Sequence, residues 1–133
     1  MGTFSNDGKS LNCISCNIGY ISSINGAVSC TQCSAGTYSS FDKTQCINCN
    51  SGYYSSQGSI NCIQCEIGYY SSINGSSECI ICPSGTYSSL DSTQCISCNL
   101  GSFNPSPGSI NCSFCPPGTY GASNGLTSCT TCN

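Results

Sequence analysis

Residues 115–132 read CPPGTYGASNGLTSCTTC, a short cysteine loop that ends in a C-x-x-C pair. Gly118 stands three residues after the first cysteine, where glycine permits a bend of positive φ without steric cost. Thr119 and Tyr120 follow and favour a short strand, and Asn124-Gly125 is a strong hairpin signal. The stretch therefore predicts one small β-hairpin fastened by cysteines.

The same pattern runs through all 133 residues. First cysteines of successive C-x-x-C pairs recur at a nearly constant step, and NIGYISSINGAVSC at Asn17 returns as EIGYYSSINGSSEC at Glu66. We therefore predict one continuous array over 1–133, with a three-module super-repeat at 16–64 and 65–113. The eight pairs are Cys13/Cys16, Cys30/Cys33, Cys46/Cys49, Cys62/Cys65, Cys79/Cys82, Cys95/Cys98, Cys112/Cys115 and Cys129/Cys132.

The composition favours cysteine cross-links over a packed hydrophobic core. The 16 cysteines are about 12% of the residues, which is the range of disulfide scaffolds, and there is no Trp and one Met. So few aliphatic side chains predict no single core. The predicted fold is a small disulfide-rich protein, an elongated solenoid or rod of short β-hairpin modules with little or no helix.

One aromatic side chain per module is expected to cover a disulfide in place of core contacts. Second tyrosines at Tyr54 and Tyr70 interrupt this regularity, and we expect them to be exposed. The aromatic residues assigned to the covering role are Tyr20, Tyr38, Tyr53, Tyr69, Tyr87, Phe103 and Tyr120.

Charge and hydropathy exclude two partner classes. Lys9 and Lys43 are the only cations, so the chain lacks the basic cluster that nucleic acid requires. No stretch approaches the roughly 18 apolar residues of a membrane span. Dense cysteine predicts an oxidising, extracellular location, secreted or at the cell surface. The opening MGTFSNDGKS lacks signal-peptide features, so we interpret Met1 as something other than a natural secretory start.

The residues offer no basis for catalysis, and we predict neither an enzyme nor a cofactor. Histidine is absent, which excludes Ser-His and Cys-His nucleophiles. Eight C-x-x-C pairs without a βαβ pattern are not typical of thiol oxidoreductases. The acids stand singly in different modules and are interpreted as solvated surface; they are Asp7, Asp42, Glu66, Glu78 and Asp91.

Zinc is the competing interpretation of the cysteines. Two C-x-x-C pairs form a four-thiolate site when about 15 to 20 residues separate them, and here the gap is 12 or 13. The scarcity of basic residues and the hairpin-like spacer favour disulfides, so we predict no metal ligands. A multi-zinc protein remains an alternative.

The arrangement resembles the ephrin-receptor-like cysteine-rich repeat, which occurs in tandem on many eukaryotic surface proteins. It is also similar to loops of tumour-necrosis-factor-receptor and epidermal-growth-factor modules. CPPGTYGASNGLTSCTTC fits the first family unchanged, whereas GSFNPSPGSINC at Gly101 departs from it with Ser for Thr and Phe for Tyr. What the resemblance implies is a scaffold.

The resemblance also implies a disulfide register, in which the cysteine before x-x-G bonds the cysteine that ends the hairpin. Cys13 and Cys132 are then left over. A rival register, with Cys13–Cys30 beside Cys16–Cys33, stays open at this point. The implied pairs are Cys16–Cys30, Cys33–Cys46, Cys49–Cys62, Cys65–Cys79, Cys82–Cys95, Cys98–Cys112 and Cys115–Cys129.

The two leftover cysteines predict assembly with copies of the same chain. If a second copy followed Asn133, the join would restore C-x-x-G and would keep the step between cysteine pairs. We therefore predict an inter-unit disulfide between Cys132 and Cys13, and a structural extracellular role as the unit of a fibre, stalk or coat. The alternative is a receptor or adhesion ectodomain that binds a protein ligand on its side, with 101–114 as the least regular module.

Covalent glycans are the remaining predicted partners. Asn74-Gly75-Ser76 and Asn111-Cys112-Ser113 are acceptor sequons for N-linked sugar. Ser-Ser pairs recur on the strand of five modules and could carry O-linked sugar, although small polar strand residues are the default interpretation. The pairs begin at Ser22, Ser39, Ser55, Ser71 and Ser88.

Overall fold

Short hairpins in tandem make up the fold, which is given by a computed structural model that describes residues 1–5 and 12–133. Over these ranges there is no helix, which confirms the predicted class of tandem disulfide hairpins. Asp7 and Lys9 lie outside the described residues. The strands are β1 Thr3–Phe4, β2 Ile14–Ser15, β3 Tyr20–Ile21, β4 Thr31–Gln32, β5 Thr37–Ser39, β6 Cys46–Asn48, β7 Tyr53–Tyr54, β8 Ile63–Gln64, β9 Tyr69–Tyr70, β10 Ile80–Ile81, β11 Thr86–Ser88, β12 Cys95–Ser97, β13 Ser102–Phe103, β14 Ser113–Phe114, β15 Thr119–Tyr120 and β16 Thr130–Thr131.

Each odd-numbered strand pairs with the next even-numbered strand in a two-stranded sheet. In the hairpin β5–β6, for example, Tyr38 lies opposite Ile47 in an antiparallel register. The second strand always includes the two residues inside a C-x-x-C pair, so the cysteines flank or end the ladder. We number these hairpins as modules 1 to 8, spanning residues 2–16, 19–33, 36–49, 52–65, 68–82, 85–98, 101–115 and 118–132.

Glycine makes the bend that starts each module, as predicted. Gly36 has φ of +83° and Gly85 has φ of +80°, values that side chains with a Cβ rarely adopt. The bend brings the glycine carbonyl back toward the end of the hairpin, where it accepts a hydrogen bond from the second cysteine of the closing pair. For Cys49 to Gly36 this N···O distance is 2.9 Å.

The modules group into two compact units. The first contains Met1–Ile63 and Ile73–Glu78, and the second contains Gln64–Ser72 and Cys79–Asn133. Each unit holds one copy of the hairpin with three-residue strands, β5–β6 in the first and β11–β12 in the second, at equivalent positions of the super-repeat. Over the described residues there is no helix that is long and apolar enough to cross a membrane.

The interior of each unit consists of disulfides and small polar side chains. The second cysteine of six C-x-x-C pairs is at most 4% exposed, and Ala27 is the only buried aliphatic residue among those described. Large aliphatic side chains instead lie outside, and Leu90 and the aromatic Phe41 are fully exposed. The buried cysteines are Cys16, Cys33, Cys49, Cys65, Cys82 and Cys98.

Candidate functional site

Seven disulfides close the hairpins. Their Cα atoms are 5.6 to 5.8 Å apart, within the ordinary range for a disulfide. The rival register is not formed, because Cys30 bonds Cys16. The pairs are those that the family resemblance implies: Cys16–Cys30, Cys33–Cys46, Cys49–Cys62, Cys65–Cys79, Cys82–Cys95, Cys98–Cys112 and Cys115–Cys129.

Cys13 and Cys132 are free thiols, and both are exposed. The other fourteen cysteines are held in disulfides and have no thiolate to offer a metal. Over the described ranges no group of three or more His, Cys, Asp or Glu side chains could hold a metal ion. The four-thiolate arrangement of the zinc alternative is therefore not formed by these residues.

A buried serine follows the bend in most modules. Ser22, Ser39, Ser55, Ser71 and Ser88 are at most 8% exposed, so the first serine of each Ser-Ser pair is not accessible to O-linked sugar. Ser55 Oγ donates to the Thr37 carbonyl at 3.0 Å. In module 7 Asn104 replaces serine and is 2% exposed, and its Nδ2 donates to the Thr86 carbonyl at 2.6 Å.

The backbone of one module binds the backbone of the next. In the first unit Gly36 N–H donates to the Ser55 carbonyl at 2.8 Å, and Ser55 N–H donates to the Ser76 carbonyl at 3.2 Å. In the second unit Gly85 N–H donates to the Asn104 carbonyl at 2.8 Å. At Gly19 and Gly68 the acceptor is instead a serine hydroxyl of the following module, Ser39 Oγ and Ser88 Oγ. Stacking is therefore directed by main-chain atoms together with these buried serines.

A second contact reaches the module after next. A Cβ added to Gly19 would overlap the carbonyl of Gly58, and a Cβ added to Gly36 would overlap the carbonyl of Gly75. Contacts between modules are therefore not limited to immediate neighbours. Equivalent contacts in the second unit join Gly68 with Gly108 and Gly85 with Gly125. At these four positions the glycine after C-x-x serves two purposes, a positive φ and a close backbone approach.

The second unit also contains an open groove of about 1370 Å³. Its walls combine the fully exposed Leu90 and the exposed Ile67 and Ile110 with two carboxylates, Glu66 and Asp91. The sequence interpretation treated these acids as isolated, because they belong to different modules. Asn111, one of the predicted glycan acceptors, lies in the same groove.

The turn beside this groove differs between the two copies of the super-repeat. Lys43 and Ser92 occupy equivalent turn positions with φ of 56° and 55°. Lys43 Nζ reaches across to Ser15 Oγ at 3.0 Å, whereas the short Ser92 side chain turns inward and donates to the Cys65 carbonyl at 2.9 Å. The long lysine side chain thus extends from its turn to the first hairpin, whereas the serine at the equivalent position of the second unit is bonded inward.

The turn that carries Leu90 is organised by Asp91. Ser89 Oγ and Thr93 Oγ1 both donate to its Oδ1. The hydrogen bond from Ser89, followed by those from Thr93, stabilises the carboxylate and lowers the pKa of Asp91 below its ordinary value of 3.8. Asp42 has the same arrangement with Ser40 and Thr44, and its pKa is also lowered. Both carboxylates are therefore ionised at neutral pH.

The aromatic residues are partly covered, with one departure from expectation. Tyr54 and Tyr70 were expected to be exposed, but both are half-buried, whereas Tyr53 and Tyr69 are each 37% exposed. Tyr54 stands two residues after Gly52, as Tyr38 does after Gly36, so alignment by the bend rather than by the first tyrosine identifies the covered position. Tyr120 is 48% exposed.

The predicted N-glycan acceptors are accessible. Asn74 and Asn111 are both exposed. Asn74 Oδ1 accepts a hydrogen bond from Ser51 N–H at 2.8 Å, which orients the side chain. The middle residue of the second sequon, Cys112, is held in the disulfide with Cys98.

Comparison with known proteins agrees with this module geometry. A family model described as tyrosine-protein kinase ephrin type A/B receptor-like matches the chain twice, at residues 52–89 and 85–132. The matches together span more than half of the chain, and both begin at a bend glycine. The chain belongs to this family. No curated protein is significantly similar to it.

Ephrin-receptor-like repeats with seven disulfides indicate an extracellular module. The first matched segment begins at Gly52, the bend of module 4, and the second begins at Gly85, the bend of module 6. The family pattern therefore coincides with the hairpins seen in the structure. The resemblance read from the sequence is thereby confirmed. The candidate functional features are the stacked backbones, the groove in the second unit and the two free thiols.

Proposed function

We propose that this ephrin-receptor-like array is a structural extracellular protein, the unit of a fibre, stalk or surface coat, without catalytic activity. The observation that carries the proposal is the repetition of the same main-chain contacts from module to module in both units. Contacts of this kind join each module to the modules that follow it, while the large aliphatic side chains stay outside. A solenoid of this type supplies length and resistance to unfolding.

In this proposal Cys132 of one unit forms a disulfide with Cys13 of the next. Both thiols are free and exposed, which the bond requires. The loop so formed would repeat the separation of 13 or 14 residues found in the seven observed disulfides. A head-to-tail contact that does not close on itself produces a filament.

Non-reducing peptide mapping combined with electron microscopy tests this assembly. We expect a cross-linked peptide that contains Cys13 and Cys132, and filaments of the unreduced parent protein. The Cys13→Ser variant should keep all seven internal disulfides and lose the covalent oligomers. Monomers or closed dimers alone at high protein concentration would contradict the proposal.

We further propose N-linked sugar at Asn74, and at Asn111 to a lesser extent. Asn74 is exposed and its sequon serine lies in the same turn. Sugar there would hydrate a chain that carries few charges. Mass spectrometry before and after glycosidase treatment of protein from a secreting eukaryotic host tests both sites, with Asn74→Gln as the control. If Asn74 carries no sugar, the proposed glycosylation at this residue is wrong.

Binding of a protein ligand on the side of the array is the second candidate function. The groove with Leu90, Ile67 and two carboxylates favours it, since exposed apolar side chains rimmed by polar groups mark interaction sites. A soluble Leu90→Ser variant should then bind cells less than the parent protein. The matched control is Phe41→Ser, which alters the equivalent exposed position of the first unit.

A further inference from the structure

The contact between a module and the module after next recurs with the same backbone geometry, and in four cases both of its halves are glycines. In a fifth case the Asp42 carbonyl lies on Gly2. One half is the bend glycine that follows C-x-x, and the other is a glycine at the tip of the later hairpin. The carbonyl of the tip glycine lies on the bend glycine so closely that a Cβ there would overlap it. Four glycine pairs share this contact: Gly19 with Gly58, Gly36 with Gly75, Gly68 with Gly108 and Gly85 with Gly125.

A hydrogen bond accompanies each of these four contacts. The N–H of the tip glycine donates to the carbonyl of the cysteine that closes the earlier hairpin. The N···O distances are 2.8 Å for Gly58 to Cys33, 2.7 Å for Gly75 to Cys49, 2.8 Å for Gly108 to Cys82 and 2.8 Å for Gly125 to Cys98. The tip glycine also faces the residue just before that cysteine, namely Gln32, Asn48, Ile81 and Ser97 in the same order.

In module 8 the bend glycine of this contact is present, but no described residue lies against it. A Cβ on Gly118, which has φ of +82°, would meet no described atom within 4 Å. Thr131 and Cys132 occupy the positions of the facing residue and the acceptor cysteine, and both are exposed. We call Gly118, Thr131 and Cys132 the acceptor surface.

In module 2 the tip glycine of this contact is present, and no described residue lies against it either. Gly26 has φ of +75° and follows Asn25, as Gly75 follows Asn74 and Gly125 follows Asn124. A Cβ on Gly26 would also meet no described atom within 4 Å. Its N–H has no backbone acceptor among the described residues. We call Asn25 and Gly26 the free tip.

We propose that the acceptor surface of one chain binds the free tip of a second copy. This rests on the head-to-tail assembly proposed above. Gly26 N–H of the second copy donates to the Cys132 carbonyl, the Gly26 carbonyl lies on Gly118, and Gly26 faces Thr131. If the numbering is continued from one copy into the next, Cys132 precedes Gly26 by the same step as Cys98 precedes Gly125.

Main-chain atoms make this contact, so the shape of the backbone determines the partner. Glycine is needed at the bend, because any L-residue at Gly118 would collide with the incoming carbonyl. The tip residue supplies only its main chain, and at Gly2 the approaching carbonyl is that of Asp42. The partner is therefore a chain with the same module geometry, and a second copy of this chain supplies it. The inter-unit disulfide would hold the two surfaces together at high effective concentration.

Hydrogen exchange of the Gly26 amide tests the docking. NMR is recorded on the Cys13→Ser/Cys132→Ser variant from dilute to concentrated solution, and on the disulfide-linked parent protein. We expect Gly26 to exchange about tenfold more slowly, or slower still, in the linked or concentrated state. The amide of Gly125 serves as the internal reference, because its bond to Cys98 protects it in every sample.

A matched pair of variants locates the contact. Thr131→Arg places a bulky side chain where Gly26 is expected, and Thr130→Arg places it on the opposite side of the same strand β16. We expect Thr131→Arg to abolish the protection of Gly26 and Thr130→Arg to preserve it. Mass spectrometry of the seven internal disulfides verifies that both variants are folded.

The outcomes separate this inference from the assembly on which it rests. If Gly26 exchanges equally fast in the linked parent and in the dilute serine variant, the docking is wrong even though covalent oligomers form. If both arginine variants behave alike, the contact lies elsewhere and the docking is also wrong. If Gly26 is protected but no Cys13–Cys132 peptide is found, the docking holds and the covalent part of the assembly fails.

Discussion

At the scale of single residues, small polar side chains perform the work that aliphatic residues perform in an ordinary core. Ser55 is fully buried and its hydroxyl is bonded to the Thr37 carbonyl. Asn104 takes the equivalent position in the second copy of the super-repeat and bonds the Thr86 carbonyl. Burying a polar group costs little free energy when the group is hydrogen-bonded and much when it is not. These positions therefore require a side chain that can form the hydrogen bond, and serine is not the only one that does.

The first prediction concerns this bond. Ser55→Ala should lower the free energy of unfolding by about 1 kcal/mol, because one buried hydrogen bond is lost. Ser55→Asn should stay close to the parent, as Asn104 shows that the position accepts asparagine. The exposed Ser56→Ala is the matched control and should change little. Denaturant unfolding under non-reducing conditions measures all three, and equal values for Ser55→Ala and Ser56→Ala would contradict the assignment.

The second prediction concerns the pKa of Asp91. Ser89 provides the largest stabilisation of the carboxylate, so Ser89→Ala should raise the pKa of Asp91 toward 3.8. The folded pKa is depressed, so the contribution to stability is present above the unfolded pKa and is lost as the pH falls through the folded pKa. An NMR titration of the carboxyl carbon measures the shift, with Asp42 as the internal reference that should not move. An unchanged Asp91 titration would show that Ser89 is not the cause.

At the scale of elements, strands of two or three residues are too short to be stable by themselves. A two-stranded hairpin is marginal in water, and here each one from module 2 onward is closed by a disulfide across 13 or 14 residues. A loop of this size is stabilised by about 3 kcal/mol in the chain-entropy model. Hairpin formation is therefore local, whereas stacking depends on the bend glycines.

The third prediction separates backbone strain from close packing. Gly26→Ala should cost about 1–2 kcal/mol, because its φ is positive but its surroundings are open. Gly36→Ala has the same strain and in addition overlaps the Gly75 carbonyl, so it should cost a further ~1–3 kcal/mol.

Unfolding in denaturant at low protein concentration, with all seven disulfides intact, gives the two values. Similar destabilisation by Gly26→Ala and Gly36→Ala would mean that the contact between modules 3 and 5 contributes nothing. A failure of Gly36→Ala to form its disulfides, with Gly26→Ala folding normally, would agree with the larger cost.

At the scale of the whole molecule, covalent cross-links replace a hydrophobic core. The fourth prediction is that denatured, unreduced and unlinked chains contain two titratable thiols, Cys13 and Cys132. A reductant should unfold the protein, whereas a strong chelator should leave it folded, because disulfides rather than metal ions close the modules. Circular dichroism with each reagent measures this. Stoichiometric zinc in elemental analysis, or unfolding by the chelator, would restore the zinc alternative.

The sequence by itself determined what depends on neighbours within one loop. The regular step between cysteine pairs, the positive φ at the bend glycines and the absence of helix over residues 1–5 and 12–133 follow from residues inside a single module. The family followed from the same short pattern. The disulfide register was left open, because Cys16–Cys30 and Cys13–Cys30 close loops of similar length, and so was the choice between disulfides and zinc.

The tertiary structure alone decided what depends on how modules stack. It buried the first serine of each Ser-Ser pair, covered Tyr54 rather than Tyr53, and brought Glu66 and Asp91 into one groove. It also placed the Gly58 carbonyl on Gly19, two modules earlier in the chain. Main-chain atoms form that contact, and every residue has the same main chain, so the contact has no side-chain signature in the sequence beyond the glycine that leaves room for it.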